Sequence, residues 1–484
     1  MIVRKFFSSA AQLMIASFSV RLLSLLTFPI LTHLLSPEAY GIAALAATFI
    51  GIFTILGISG QDSSYVKCFH DHKNYDEIEV DRFYLKYAWL AGLFSGIIAM
   101  LVWLLYAYLQ EVRSNSWVGL FVCLGVFGSV LSSFSQARAR LIGAYKKLMW
   151  AIVFSGLTST IFCILVAWLW RQDELALMVS ISSYWIMLFF LPSLSFKEWF
   201  KKDSMPRVKI NQMILIGLPL LATAPGYWII SSSDRLFLAA NSTKAELGIY
   251  SVGVTVASLG QIVTSALCNA WYPQLSRYMH KGDAYDYEHL AKAQTLIIWL
   301  LLTSCFGICM FGESLIQILA SDEFQGAAVF IPWVALGLMF YGINQFQGFG
   351  FTLLRKNHLV PLIWCAAVIF ALCLNYTLVP KYHGIGAAFT QCASYLLLAL
   401  ITWWVGRKFM PFQPFWGRLF FCFIAYAGLV LLAIFCLSGT GILLSLAIKC
   451  GLTVLAIPVS LMWLVKFKLN DALSILKSNT LRKN

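Results

Sequence analysis

Charge is what this chain has least of. Lys, Arg, Asp and Glu make up 12% of its 484 residues, against about one quarter in a soluble protein, and that shortage excludes a water-soluble fold. Acids are scarcer than bases, with 21 Asp and Glu beside 35 Lys and Arg. The sequence has no P-loop, no zinc signature, no GxSxG and no paired carboxylates on the segments expected to face away from the cytoplasm, so neither an ATP-driven pump nor an enzyme is expected, and no cofactor or metal. The 12 cysteines include no CxxC pair. All but Cys68 lie inside apolar runs, as Cys123, Cys163, Cys268 and Cys305 do, and they read as small packing residues. Cys68, His70 and His72 share one short polar loop without a second set of ligands, and that loop reads as a solvated connector. No cleavable signal peptide is expected, because the basic start at Met1 to Lys5 runs into a stretch too long for one.

What is present is hydrocarbon. Hydrophobic residues make up 60% of the chain and the mean hydropathy is +0.78. They fall in runs of roughly 20, each long enough to cross the ~30 Å apolar core of a bilayer as a helix. Spans are expected at 11–34, 39–62, 85–108, 117–137, 149–170, 175–194, 212–237, 246–273, 293–313, 328–353, 358–379, 386–406, 415–437 and 442–465.

The net charge of +14 would suggest nucleic acid in a soluble protein, but here its sidedness matters more. With the amino terminus in the cytoplasm, nearly every cation falls on that side, including Arg82, Arg138, Lys201, Arg277, Arg355, Arg407 and Lys468. The opposite side receives Arg113, Arg171, Lys244 and Lys381. The bias predicts both termini inside and no nucleic-acid partner. The loops on the far side are short and leave no room for a catalytic domain, which disfavours a membrane polysaccharide polymerase or ligase.

An internal repeat adds architecture. Ser36-Pro37-Glu38-Ala39-Tyr40-Gly41 before the second span aligns with Thr243-Lys244-Ala245-Glu246-Leu247-Gly248 before the eighth. The intervening spans are even in number, so both units enter the membrane in the same direction and form a parallel repeat. The expectation is an all-α polytopic membrane protein of about fourteen transmembrane helices. Two pseudo-symmetric six-helix lobes are followed by a helix pair, divided as 1–194, a cytoplasmic linker 195–211, 212–410, the pair 411–466 and a tail 467–484.

A charge near mid-bilayer costs at least ~2.5 to 3.5 kcal/mol, so each one needs a partner or a wet cavity. Arg21, deep in the first span, reads either as a cavity-facing grip for an anionic group or as half of a structural pair. Asp234 and Arg235 near the far end of span seven either pair with other helices or serve the substrate. Arg138, at the end of span four, belongs to a basic rim and sits far enough in to line a cavity mouth. Lys449 is expected to snorkel outward as a structural residue. Span ten carries Tyr341, Asn344, Gln345 and Gln347, and span eight carries Gln261 and Trp271. Amides match sugar hydroxyls and rings stack on pyranose faces, but helices in lipid also pack with such residues. Pro29, Pro219, Pro225 and Gly226 allow bending within spans.

The stretch Leu34 to Gly41 after a first span carrying an Arg, and the stretch from Asp234-Arg235-Leu236-Phe237-Leu238 through Glu246 to Ala270-Trp271-Tyr272-Pro273, resemble the polysaccharide transporter family. These are the Wzx-type flippases of the multidrug/oligosaccharidyl-lipid/polysaccharide exporter (MOP) superfamily. The resemblance implies a MOP/MATE-like fold around a central, often cationic cavity, and transfer of an undecaprenyl-diphosphate-linked oligosaccharide from the cytoplasmic to the periplasmic leaflet of a bacterial inner membrane. It further implies O-antigen, capsule or exopolysaccharide assembly, with membrane lipids, a polysaccharide polymerase and a chain-length regulator as partners. By motif position it points to Arg21 and Arg235 for the diphosphate, which Arg138 joins by its place at the cavity mouth, and Asn344, Gln345, Gln261 and Trp271 serve the sugar on the amide reading. A drug or cation antiporter of the same superfamily is the nearest alternative, and it would need buried carboxylates.

Overall fold

The computed structural model describes residues 27–71, 75–110, 117–170, 206–221, 224–281, 284–353, 356, 359–410, 412–437 and 442–465, with Ser19 and Leu23. Its helices are α1 (Pro37–Ile58), α2 (Gln61–Phe69), α3 (Glu77–Leu109), α4 (Trp117–Leu141), α5 (Tyr145–Trp170), α6 (Arg207–Leu221), α7 (Ala224–Asn241), α8 (Lys244–Ala257), α9 (Gly260–Lys281), α10 (Ala284–Leu319), α11 (Ile331–Leu353), α12 (Leu359–Gly406), α13 (Trp416–Leu437) and α14 (Ile442–Val465). A short 3-10 segment, Asp322–Val329, precedes α11. No strand occurs among the described residues.

Eight of these helices or helix pairs are long and apolar enough to cross a membrane, and ten if each of two bent pairs counts as one span. The bends lie between α8 and α9, at 43°, and between the 3-10 segment and α11, at 51°. α12 holds two of the expected spans, divided at His383, whose φ of 47° breaks the helix. The chain reverses there. A Cβ on Gly386 would lie 2.6 Å from the Leu378 carbonyl oxygen, whereas eight residues of straight helix would separate them by about 12 Å. Span seven is described as α6 and α7, on either side of residues 222–223, which lie outside the described residues. The expected span 175–194 and most of 11–34 lie outside the described residues, so fourteen spans cannot be counted directly.

The helix starts follow local chemistry. Ser36 caps α1, its hydroxyl accepting from the Ala39 amide at 3.3 Å, with Pro37 in the first turn. Thr243 caps α8 in the same way, accepting from the Glu246 amide at 3.1 Å. α1 packs with α3 and α4 and also lies along α8 and α7; α7, α11 and α12 pack closely with one another, α9 and α10 lie on α11, and α13 and α14 attach to α10. α6 lies on α2. There the Gln61 amide donates to the Ile214 carbonyl at 3.0 Å and Ser64 to the Met213 carbonyl at 2.6 Å. Apolar side chains such as Phe94, Phe435 and Leu443 stay exposed on the outside, which suits a surface solvated by lipid, with each described span helical so that backbone groups are satisfied internally.

Lys449 departs from the snorkelling expectation. It is 4% exposed and turns toward α10, where its Nζ lies 3.3 Å from Glu313 and 3.2 Å from the Ser314 hydroxyl. An acid one helix away offers a better partner than the distant interface.

Candidate transport pathway

The two halves of the repeat meet at one end of the bundle, and they meet through the repeated motif itself. A Cβ on Gly41 would overlap the Lys244 carbonyl oxygen and lie 3.0 Å from the Gly248 amide. A Cβ on Gly248 would overlap the Pro37 carbonyl oxygen and lie 3.0 Å from the Gly41 amide. The contact is reciprocal, as a twofold relation between two copies of one motif requires, and only glycine lets the backbones come so near. Around it, Tyr40 meets Phe324 edge to face at 5.8 Å. Ser321 donates to the Thr32 carbonyl at 2.7 Å. Glu246 accepts from the Gly384 amide at 3.0 Å and from the Ser242 hydroxyl, which ties the His383 reversal to the start of α8.

Beside this junction runs α7. Its Asp234 is 1% exposed and accepts from the Tyr250 hydroxyl of α8 and from the Arg235 amide at 2.8 Å. Adjacent positions on a helix point about 100° apart, so the neighbouring charges diverge. Arg235 is half-buried, close enough to Tyr40 of α1 to interact with it electrostatically, and its Nε is buried with no hydrogen-bond partner among the described residues.

Arg138 is placed differently. Its Nε donates to Asp81 at 2.8 Å, with the two side chains 14% and 9% exposed, and Asp81 also accepts from the Tyr65 hydroxyl. The group braces α2, α3 and α4, so the guanidinium charge is answered by an acid of its own lobe. Arg21 lies outside the described residues.

Of the amides, Gln261 and Gln345 come together. Gln261 donates to the Tyr227 hydroxyl at 3.3 Å, and Gln345 donates to the Tyr341 hydroxyl while accepting from Cys268 at 3.1 Å. Tyr341 centres an aromatic group, 4.8 Å from Tyr227, 5.2 Å from Tyr395 and 6.4 Å from Trp364. Asn344 points elsewhere, buried between α11 and α12 where it accepts from Thr402 at 2.7 Å. Trp271 is buried and its indole N–H has no partner among the described residues, as is true of both side-chain polar atoms of Gln347. Tyr227, Trp364 and Tyr395 were not anticipated. They come from spans seven, eleven and twelve, and only the packing of those spans unites them. The result is a set of ring faces edged with amides and hydroxyls, able to stack on and hydrogen-bond a polar ligand. Among the described residues no group of three or more His, Cys, Asp or Glu could hold a metal ion.

The fold is shared with known transporters. The lipid II flippase MurJ in an inward closed conformation superimposes with a TM-score of 0.72 at 15% identity, covering 93% of this chain and 97% of that one. An inward-facing multidrug resistance MATE family transporter of the MOP superfamily gives 0.61 at 13% identity, over 80% and 94%. Among relatives in sequence, a capsular polysaccharide biosynthesis protein CapF of Staphylococcus aureus is 22% identical over 41% of this chain and 50% of its own length. The succinoglycan biosynthesis transport protein ExoT of Rhizobium meliloti is 23% identical over 66% of this chain and 62% of its own length. A probable low-salt glycan biosynthesis flippase, Agl15 of Haloferax volcanii, is 21% identical over 35% and 36%. The matched stretches thus span about half, or less than two thirds, of these relatives. The model of the polysaccharide biosynthesis protein family matches residues 6–279, more than half of the sequence. With the all-helical fold and its long apolar helices, that match makes this chain a multi-pass membrane protein of the polysaccharide biosynthesis protein family.

Proposed function

We propose that this protein is a flippase that carries an undecaprenyl-diphosphate-linked oligosaccharide from the cytoplasmic to the periplasmic leaflet of a bacterial inner membrane, for O-antigen, capsule or exopolysaccharide assembly. The lobes 1–194 and 212–410 alternate access around a shared path, with both termini in the cytoplasm, and 411–466 and the tail stand apart from the moving core. The observation that carries this reading is Arg235, a half-buried guanidinium beside the junction of the halves whose Nε has no hydrogen-bond partner among the described residues. A diphosphate moved through lipid unaided would strand its charge in hydrocarbon, whereas an Arg offers charge-assisted, forked hydrogen bonds. Arg21 is the second cation assigned to the diphosphate, and Arg138 the third at the cavity mouth, where release from Asp81 would have to precede its use. Gln261 and Gln345, with the Tyr227 and Tyr341 rings, line the sugar path, and Asn344 and Trp271 reach it only after the helices shift. An inside-negative potential drives an anion outward by ~2.3 kcal/mol per charge per 100 mV.

The names of the relatives support the class of cargo, and the MurJ-like fold supports the mode of movement. A second reading, an exporter of cations coupled to protons or sodium, is favoured by Asp234, a carboxylate buried inside a span. The decisive experiment locates lipid-linked glycan by leaflet in cells lacking the gene. Cytoplasmic accumulation should be relieved by the wild-type gene and at least about tenfold less by Arg21→Ala or Arg235→Ala, the loss of one hydrogen bond to a charged group. Normal periplasmic transfer without the gene would overturn the flippase and leave drug efflux to be assayed.

A further inference from the structure

One end of the bundle gathers cations that form no ion pair among the described residues. No Asp or Glu occurs between Glu323 and Asp471, a stretch that includes Lys356, Arg407, Lys408 and Arg418. The structure gathers these four where α12 finishes and α13 begins. Each lies over an aromatic ring. Arg407 sits 5.3 Å from the Trp403 centroid and 5.9 Å from that of Trp404, and Lys408 lies 4.6 Å from Trp404. Lys356 is 5.5 Å from Phe409 and Arg418 is 5.3 Å from Phe415. Arg418 also donates to the Leu464 carbonyl at 2.7 Å. At the adjoining end of α10 the carboxylate of Glu288 is engaged with Lys292 at 2.8 Å.

The same place holds two buried donors. The indoles of Trp403 and Trp416 meet edge to face at 6.1 Å, and neither N–H has an acceptor among the described residues. Phe412 stacks on Tyr287 at 6.4 Å, and the Phe415 amide donates to the Thr295 hydroxyl at 3.0 Å.

A desolvated N–H without an acceptor is costly, and Trp N–H can only donate. Cations at the membrane surface attract acidic lipid by about 1 kcal/mol each, and tryptophan favours this depth. We propose that this end binds the phosphate of an anionic phospholipid headgroup, Arg407 and Lys408 supplying the charge and the Trp403 and Trp416 indoles the directional donors. A phosphate anchored in the membrane fits better than a soluble one, because the surrounding surface, with Phe420 and Phe421 exposed, is apolar and faces acyl chains.

The test uses the full-length protein in detergent with added phosphatidylglycerol or phosphatidylcholine, reading retained lipid by native mass spectrometry. Wild type should retain phosphatidylglycerol preferentially. Arg407→Gln with Lys408→Gln should cut that preference about tenfold or more, while Arg407→Lys with Lys408→Arg keeps most of it. Trp403→Phe, which keeps a ring and removes the N–H, should weaken retention without lowering the melting temperature in phosphatidylcholine. Equal retention of the two lipids by wild type, or an unchanged preference in the double Gln variant, would overturn the proposal. Displacement of phosphatidylglycerol by equimolar undecaprenyl phosphate, in wild type and not in the Gln variant, would also overturn it and assign the site to substrate entry.

Discussion

Arg138 looks, in sequence, like one more cation on a basic rim; in the fold it answers a buried acid. Asp81 takes hydrogen bonds from Arg138 and Tyr65 together, and removing one partner of such a pair leaves a charge in a poorly hydrated place, at a cost of about 3 kcal/mol or more. Arg138→Gln should therefore destabilise the protein by about that amount, read as an earlier midpoint in denaturant titration. Arg138→Met combined with Asp81→Leu should recover most of the loss, since no lone charge remains. A double variant as unstable as the single one would place the cost elsewhere. Arg235 carries the opposite expectation. Its Nε has no hydrogen-bond partner among the described residues, so Arg235→Ala should change transport more than stability.

At the scale of helices, the repeat was legible in the sequence, because the segments from Ser36 and from Thr243 match, but that these residues cap α1 and α8 and that the two helices cross came from the structure. What local chemistry does not write is which side chains meet across elements. The Asp81–Arg138 pair, the turn of Lys449 toward Glu313 and the gathering of Tyr227, Tyr341 and Tyr395 depend on packing between distant spans. The reversal at His383 was placed between two spans by hydropathy, but its bond to Glu246 was not readable. The reciprocal glycines support a further expectation. A single methyl at either Gly41 or Gly248 overlaps a carbonyl oxygen of the other helix, so Gly41→Ala and Gly248→Ala should weaken the junction to the same degree, by about 1 to 3 kcal/mol of overpacking. Ala327→Cys, fully buried beside the junction, should then label faster with a thiol reagent from the far side in both variants. Faster labelling in one alone would mean that the two motifs are not equivalent.

The whole molecule turns on whether that junction opens. α1 and the 3-10 segment meet where Tyr40 rests against Phe324, which is fully buried, so among the described residues the end where the repeats cross is packed shut. On the proposed flippase reading, a path that serves both leaflets cannot keep that end shut throughout its cycle; a static seal would leave the cargo with one exit. Hinged motion of two packed bodies requires the contacts at one end to part as those at the other form. Cysteines at Tyr40 and Phe324, whose ring centroids are 5.8 Å apart, lie within reach of a short thiol-to-thiol linker. Linking them should stop delivery of lipid-linked glycan to the far leaflet, reduction of a cleavable linker should restore it, and each single cysteine should transport normally under the same reagent. Undiminished delivery with the pair fully linked would show that cargo leaves without parting the lobes at this end, and the reciprocal glycines would then be a fixed pivot rather than a gate.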